Sequence, residues 1–464
     1  MTYKTYTVYF ALIGLIMLGS LQLAPAQHHE GDSPEIYHST KLAFGNQREA
    51  RQSLEWIKER GGTDMVAHLI TASRFSSLSR EEIGEAIQDI TGETSINTWF
   101  DWMIWLELRP EIEPHNSYLN FKSAVFYSID PNFRRLFRPG MQFDIRPEEI
   151  VWGGVRLDGI PALDNPKHIS IEEATYLKDD DEVFGVNING DARAYPLRIM
   201  GWHEMFNDVV GGVPVSLAYC TLCNAGILFE GDYQGREKLN VKEPFTFGSS
   251  GFLYRSNKLM YDRQTDSLWN QFTGEPVAGP LLGTGVRLNI RPVVITSWKE
   301  WKATNPNTKV LSLKTGYRRN YGSGVVYKQY FESSTLMFPA LGDKKKRLRK
   351  KEEVFGMRLE SGVKAWPLNS FKYKKVLNDK VGQVNVVLIG NQKTRTVRAY
   401  ERQNLEFTLN DAGALVDQSG VSWEIKESGL KDSKGESLKR LPGHIAYWFA
   451  WAGYLGEESA LFTE

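Results

Sequence analysis

One long motif occurs twice in this chain of 464 residues, and the repetition limits the folds open to it. The first copy begins at Glu182 and reads EVFGVNINGDARAYPL; the second begins 171 positions later, at Glu353, and reads EVFGMRLESGVKAWPL. A second pair, FNDVVGGVPVSL and LNDKVGQVNVVL, keeps the same spacing. These runs are rich in β-branched and aromatic residues and are bounded by turn-forming residues, as strands are. We therefore predict a tandem duplication of one β-rich unit, with copies at residues 146–312 and 353–464 and a loop and basic linker at 313–352.

The residues before this repeat have a helical pattern. The segment REARQSLEWIKER has apolar residues at helical spacing and stops at Gly61 and Gly62. The segment SREEIGEAIQDITG opens with Ser79 and Glu82, which have the spacing of a capping box. An aromatic run, INTWFDWMIWLEL, indicates one more helix. We therefore predict an α+β fold, in which a helical module at residues 27–145, with an N-terminal tail, precedes the two β-rich units.

The first 26 residues have the order of a secretory signal peptide. Lys4 precedes an apolar run from Val8 to Leu23, and the small residues APA end at Ala26. We expect cleavage after Ala26, so the mature protein is predicted to be periplasmic or secreted. A membrane anchor is expected only if this segment is retained.

The charge balance restricts the partners. Lys plus Arg and Asp plus Glu each number 56, so the chain as a whole has no bias toward nucleic acid. The basic run that starts at Lys344 is isolated, and we interpret it as a solvated linker. The expected partners are a metal ion or a small molecule, with an envelope protein as a further candidate.

The two copies differ at four chemically active positions. When they are aligned at the offset of 171, a histidine, a glutamate and both cysteines of the first copy meet residues of other chemistry. The pairs are His203 with Lys374, Glu204 with Lys375, Cys220 with Asn391, and Cys223 with Thr394. Because the four groups are lost together while the surrounding motif is kept, we predict a functional site confined to the first copy.

A Cys-x-x-Cys turn beside an imidazole suits copper or zinc. Two sulfurs can each reach one ion at about 2.3 Å, and His203 would be the third ligand beside Cys220 and Cys223. Glu204 would orient a ligand or act as a general base, and Arg263 would bind an anionic group. Two other interpretations stay open: a thiol–disulfide oxidoreductase that uses the same cysteines, and a non-catalytic binding module in which they form a structural disulfide.

Several motifs resemble a known family. They are DGIPALDNP, INGDARAYPLRIMGWHEMFNDVVGG, YCTLC, SSGFLYRSNKLMYDRQTDSLWNQFTGEPVAG and SWKEWKATNPNTKVLS. Together they are similar to the bacterial and archaeal family known as domain of unknown function 3179, from about Asp158 to Ser312 and more weakly through the second copy. The resemblance implies a secreted or envelope protein with no established activity. Members commonly have Pro after the first cysteine and Gly after the second, where this chain has Thr221 and Asn224.

Overall fold

The computed structural model describes residues 33–233 and 235–463. The chain forms two compact units, one of residues 33–95 and 114–139 and the other of residues 96–113 and 140–463. The predicted signal peptide, residues 1–26, lies outside the described residues. Within the described ranges, no helix has the length and apolar character needed to cross a membrane.

Helices dominate the first unit, and polar side chains cap the N-termini of two of them. In the described chain the helices are α1 (Pro34–Phe44), α2 (Gln47–Arg60), α3 (Val66–Ala72), α4 (Arg80–Thr91), α5 (Trp99–Glu107), α6 (Tyr118–Ile129), α7 (Leu197–His203), α8 (Trp298–Thr304), α9 (Lys328–Glu332) and α10 (Trp448–Leu455). The predicted capping box at Ser79 and Glu82 begins α4, and Asn46 forms a second one at α2. The predicted order, N-terminal helices followed by a β-rich region, is confirmed.

Helix α5 belongs to the second unit, although we expected the aromatic run INTWFDWMIWLEL within the helical module. The Glu107 carboxylate explains this placement. It accepts a hydrogen bond from the Leu341 amide at 2.9 Å and lies 3.6 Å from the Arg255 guanidinium. The C-terminal end of α5 is therefore tied to the β-rich part of the chain.

The second unit is built from short strands. They are β1 (Ile150–Trp152), β2 (Leu163–Asp164), β3 (His168–Ile169), β4 (Glu182–Ile188), β5 (Asp191–Pro196), β6 (Met205–Val210), β7 (Val213–Cys220), β8 (Ala225–Glu230), β9 (Phe247–Tyr254), β10 (Asn257–Asp262), β11 (Leu268–Asn270), β12 (Glu275–Ala278), β13 (Ile290–Arg291), β14 (Val294–Ser297), β15 (Lys309–Leu311), β16 (Glu353–Leu359), β17 (Gly362–Pro367), β18 (Val376–Val381), β19 (Val384–Asn391), β20 (Thr396–Glu401), β21 (Phe407–Leu409), β22 (Leu415–Asp417), β23 (Trp423–Lys426), β24 (Gly429–Asp432), β25 (Ser437–Leu441), β26 (His444–Tyr447) and β27 (Ser459–Leu461).

The strands form several sheets. In the first β-rich segment the orders are β1-β9-β10-β11-β12, β13-β8-β7-β6-β2 and β14-β4-β5-β15-β3. In the second they are β26-β16-β17-β27, β18-β19-β20-β25-β24-β23 and the pair β21-β22. The order β14-β4-β5-β15 matches β26-β16-β17-β27, and in both the last pair is parallel. The two segments thus share one arrangement of four strands.

Side-chain contacts also recur in the two segments. The Asn207 side chain exchanges two hydrogen bonds with the Phe247 backbone, and Asn378 does the same with Phe407. Two buried tryptophans each donate their indole N–H to an aspartate: Trp269 to Asp262 at 2.8 Å and Trp423 to Asp417 at 3.0 Å. Equivalent sequence positions therefore make equivalent contacts.

Arg395 joins the two β-rich segments. Its guanidinium lies 2.9 Å from the Glu182 carboxylate at the start of β4 and 2.8 Å from the Glu353 carboxylate at the start of β16. From the other side, the Asn224 amide donates to Glu353 at 2.6 Å. Because Asn224 ends the turn after β7, the turn that contains both cysteines lies against the second segment.

Candidate functional site

The two cysteines form a close pair of free thiols. Cys220 ends β7 and Cys223 lies in the turn before β8, and the Cys220 thiol donates to the Cys223 sulfur at 2.8 Å. Cys220 pairs with Ala225 across the hairpin, and Asn224 closes the turn in the left-handed conformation, with φ of 53°. Both cysteines are buried. The turn geometry therefore holds the two sulfurs together inside the protein.

The hairpin turn between β9 and β10 surrounds the Cys223 sulfur. Its thiol lies 3.0 Å from the Asn257 amide oxygen and 3.4 Å from the Ser256 carbonyl oxygen, which are both acceptors. Arg255 and Ser256 form the turn with φ of 48° and 62°, as the tight hairpin turns of type I′ require. Burial, and then the hydrogen bond from Cys220, raise the pKa of Cys223 well above its ordinary value. Cys223 is therefore a protonated thiol at neutral pH.

A buried ion pair lies next to this turn. The Glu204 carboxylate is 2.9 Å from the Lys258 ammonium, and both side chains are less than one-tenth exposed. Glu204 also accepts hydrogen bonds from Thr221, which lies between the cysteines, at 2.7 Å, and from Tyr327 at 3.4 Å. A buried charge pair stabilises a fold only weakly, because desolvation offsets most of the attraction. The pair is therefore a candidate for a functional role.

Residues from later parts of the chain also contact the cysteine turn. The Tyr447 amide donates to the Cys223 carbonyl oxygen at 2.8 Å, and the Tyr330 hydroxyl donates to the Leu222 carbonyl oxygen at 2.7 Å. Lys351 in turn donates to backbone carbonyl oxygens of Tyr330 and Ser333. We call residues 327–333 the strap, since this segment contacts the cysteine turn through Tyr330 and its neighbour Glu204 through Tyr327.

His203 has other partners. Its Nδ1 lies 2.8 Å from the Pro161 carbonyl oxygen, which can only accept, so Nδ1 carries the proton. Burial lowers the pKa of His203, and the Nε2 of the neutral ring accepts from the Tyr321 hydroxyl at 2.6 Å. Its lone pair is therefore already used. Within residues 33–233 and 235–463, no group of three His, Cys, Asp or Glu side chains is arranged to hold a metal ion. The metal site of Cys220, Cys223 and His203 stays a prediction.

Arg263 lies at the end of β10. Its guanidinium donates to the Asp164 carboxylate at 2.6 Å. The neighbouring Asp262 is buried and accepts from Trp269 and from the Thr265 backbone amide, at 2.8 Å and 2.6 Å. In this arrangement Arg263 is half of an ion pair, and its predicted role in binding an anionic group stays a prediction.

Comparison with known families gives the identity of this region. A family profile described as "Protein of unknown function (DUF3179)" matches residues 157–458. The chain belongs to this family. No curated protein and no solved structure matches it. The family description gives no activity, so the function of this DUF3179 protein has to be derived from its site.

The second segment of the DUF3179 region has different chemistry at the equivalent place. Asn391 and Thr394, which stand where the first segment has its cysteines, both donate to the Glu300 carboxylate at 3.1 Å. Thr396 donates to the same carboxylate at 3.0 Å. A neutral amide and two hydroxyls around a carboxylate form a structural hydrogen-bond cluster, so the thiols are specific to the first segment.

The sequence alone did not point to several residues of the DUF3179 site. Asn257 and Lys258 lie 34 or more positions from the cysteines, and Tyr327 and Tyr330 lie in the segment we interpreted as a loop and linker. One signal was available. In NKLMYD, the sequence of β10, Lys258 stands inside a strand whose residues are all buried, and a buried lysine requires a partner.

Proposed function

We propose that this DUF3179 protein is a thiol–disulfide oxidoreductase whose redox centre is Cys220 and Cys223. The observation that carries the proposal is the 2.8 Å separation of two free, buried sulfurs on one tight turn. A disulfide needs the sulfurs at about 2.05 Å, so the two sulfurs have to approach each other by less than about 1 Å to close the bond. Cys220 and Cys223 can therefore change between dithiol and disulfide without rebuilding the turn.

The reaction exchanges one disulfide for another. One cysteine thiolate attacks a sulfur of the substrate disulfide, a mixed disulfide forms, and one substrate thiolate leaves. The second cysteine then attacks the mixed disulfide, forms the Cys220–Cys223 bond and releases the other substrate thiolate. The two cysteine protons end on the two substrate thiols, so two electrons and two protons pass from the protein to the substrate.

Glu204 and Lys258 fit the needs of this reaction. A thiol with a raised pKa requires a nearby group that takes its proton, and Glu204 reaches the turn through its hydrogen bond with Thr221. The Lys258 ammonium, 2.9 Å from Glu204, holds this carboxylate beside the turn. The same ammonium opposes a bound metal cation, so the site supports redox chemistry better than the copper or zinc binding we predicted.

We also propose that residues 146–312 and 353–464 are copies of one duplicated unit. The shared four-strand order and the repeated Asn–Phe and Asp–Trp contacts support this origin. The extracytoplasmic location predicted from residues 1–26 fits a dithiol that is oxidised by its surroundings.

The test is equilibration of the whole protein with mixtures of reduced and oxidised dithiothreitol, followed by acid quenching, alkylation and mass measurement. We expect both thiols to be lost together, reversibly and in the native state. Cys220→Ser and Cys223→Ser proteins should each keep a single thiol that forms no intramolecular disulfide. Thiols that stay reduced at every ratio, or that react only after denaturation, would show a structural pair and refute the proposal.

A further inference from the structure

Three consecutive buried residues beside the cysteines carry donors that are not fully used. They are Ser256, Asn257 and Lys258, at the turn into β10. In the described chain, the Ser256 hydroxyl and the Asn257 amide nitrogen make no hydrogen bond. The Lys258 ammonium has three donors, and its contact with the Glu204 carboxylate at 2.9 Å uses one of them. Because a buried donor without an acceptor lowers stability, unused donors in succession at one turn indicate a place built to receive acceptors.

These donors lie at the redox pair. The Asn257 side chain already accepts from the Cys223 thiol through its oxygen at 3.0 Å, so its free N–H₂ group is only one amide width farther away. The Ser256 carbonyl oxygen is 3.4 Å from the same sulfur. Lys258 is tied to the turn through Glu204, which contacts Thr221 between the cysteines. The donors and the sulfurs thus share one buried neighbourhood.

The backbone at this turn is also in a rarely used conformation. Arg255 and Ser256 both have positive φ, although neither is glycine, and Ser256 is fully buried. Non-glycine residues in this region are strained and persist where the surrounding structure imposes them. The imposed turn fixes the direction in which the Asn257 and Lys258 side chains leave the backbone.

We infer that Ser256, Asn257 and Lys258 form a subsite for a small, acceptor-rich anionic group, such as the carboxylate of a low-molecular-weight disulfide that reacts at Cys220 and Cys223. The disulfide as substrate rests on the proposed function, whereas anion binding does not. A hydroxyl, an amide N–H₂ and an ammonium can each donate a hydrogen bond to a ligand, and an oxyanion accepts from all three. The Glu204 carboxylate beside Lys258 already receives Lys258, Thr221 and Tyr327.

The test measures binding without reaction. The Cys220→Ser/Cys223→Ser protein has no thiols, so calorimetric titration with dithiodiglycolate, a disulfide with two carboxylates, reports binding alone. We expect this anion to bind at least about tenfold more tightly than the neutral bis(2-hydroxyethyl) disulfide. This factor is the affinity that one charge-assisted hydrogen bond contributes, and the neutral disulfide cannot make such a bond. Cystamine, the cationic analogue, should show no saturable binding. Equal affinity for the neutral and anionic disulfides, or no binding of dithiodiglycolate, would overturn the inference.

Variants assign the binding to the three residues. In the thiol-free protein, Asn257→Asp replaces the free N–H₂ group with a carboxylate oxygen and should abolish binding of dithiodiglycolate. Glu204→Gln/Lys258→Met removes both charges without leaving either unpaired and should weaken binding about tenfold or more. Lys309→Met, at a lysine that is 59% exposed, is the matched control and should leave binding unchanged. Unchanged affinity in both site variants would place the anion elsewhere and overturn the inference.

Two further comparisons complete the test. The first identifies which class of anion the subsite binds, and the second distinguishes failure of the subsite from failure of the redox proposal. Competition by sodium sulfate at constant ionic strength would identify a general oxyanion site, whereas resistance to sulfate would identify a site for carboxylated disulfides. If the subsite exists but the redox proposal is wrong, the thiol-free protein binds dithiodiglycolate while the native thiols fail to exchange with dithiothreitol. If only the subsite is wrong, exchange with neutral dithiothreitol proceeds and no anion binds.

Discussion

The backbone amide of Tyr447 donates a hydrogen bond to the carbonyl oxygen of Cys223 at 2.8 Å. Tyr447 ends β26 in the second β-rich segment, and Cys223 lies in the first. The second β-rich segment therefore holds the main chain of the cysteine turn. It does so although Asn391 and Thr394 stand at its own equivalent positions.

The first prediction concerns the buried pair of Glu204 and Lys258. Glu204→Gln or Lys258→Met alone leaves one buried charge without its partner, and each should lower the free energy of unfolding by roughly 3–5 kcal/mol. The double variant removes both charges and should recover most of that loss. Urea unfolding of the three variants and the wild type, arranged as a double-mutant cycle, gives the coupling.

An exposed pair is the matched control for this cycle. Lys302 and Asp179 lie at a similar distance, 2.7 Å, but their side chains are 36% and 61% exposed, so their coupling should stay within about 1 kcal/mol. Additive effects of Glu204→Gln and Lys258→Met would mean that the two groups do not depend on each other. The proposed proton transfer through Glu204 would then lose its structural basis.

The strands could be predicted from sequence because their alternation and turn residues are local, and a motif present twice is hard to mistake. The cysteine turn was equally visible. The role of His203 as a ligand beside Cys220 and Cys223 stays a prediction, which rests on proximity in sequence alone. Glu204 has a φ of 54°, which ends α7, and the two side chains reach different partners: Pro161 and Tyr321 for His203, Thr221 and Lys258 for Glu204.

The partners on β10 and the strap could not be predicted in the same way. Ser256, Asn257 and Lys258 reach the cysteines only because β9 and β10 fold back onto the β7–β8 turn, and this contact joins residues more than 30 positions apart. Single-sequence patterns carry local periodicity and no such pairing.

The second prediction concerns the strap. Lys351 ties it by donating to the carbonyl oxygens of Tyr330 and Ser333, and its ammonium lies 3.8 Å from the centre of the Tyr330 ring. Lys351→Met removes these charge-assisted hydrogen bonds, each of which contributes about 1.5–3 kcal/mol. The strap should open more often, and alkylation of the native cysteines by monobromobimane at pH 7 should accelerate by about tenfold or more.

Lys328→Met is the control for the strap experiment. Lys328 lies in the strap but is 62% exposed, and its contact with Glu332 is at 3.9 Å, so its replacement should leave the alkylation rate close to that of the wild type. Equal rates in the wild type and Lys351→Met would show that the thiols become accessible by another route. The pKa of Lys351 is lowered to about 8 by burial, so the comparison has to be made at pH 7, where the ammonium is still charged.

The third prediction concerns acid stability of the helical unit. His68 is fully buried on α3, and burial, followed by the charge of His115, lowers its pKa to about 3. The unfolded chain has a histidine pKa of about 6.5, so between pH 6.5 and 3 it binds more protons than the folded protein, and stability falls as the pH is lowered through that window.

In the wild type, His68 lowers the free energy of unfolding by at most about 5 kcal/mol at pH 3, as calculated from the difference between its folded and unfolded pKa values. His68→Phe keeps a ring that stacks on Phe121, at 5.5 Å between centroids, and removes the titrating group. The urea midpoint of the helical transition, followed by circular dichroism from pH 7 to pH 4, should therefore fall less in His68→Phe than in the wild type. His444, whose pKa burial also lowers to about 3, lies in the other unit, so His444→Phe should leave the helical midpoint unchanged. Parallel pH profiles for His68→Phe and the wild type would show that another group, with Asp64 and His115 as the nearest titratable neighbours, controls the acid response.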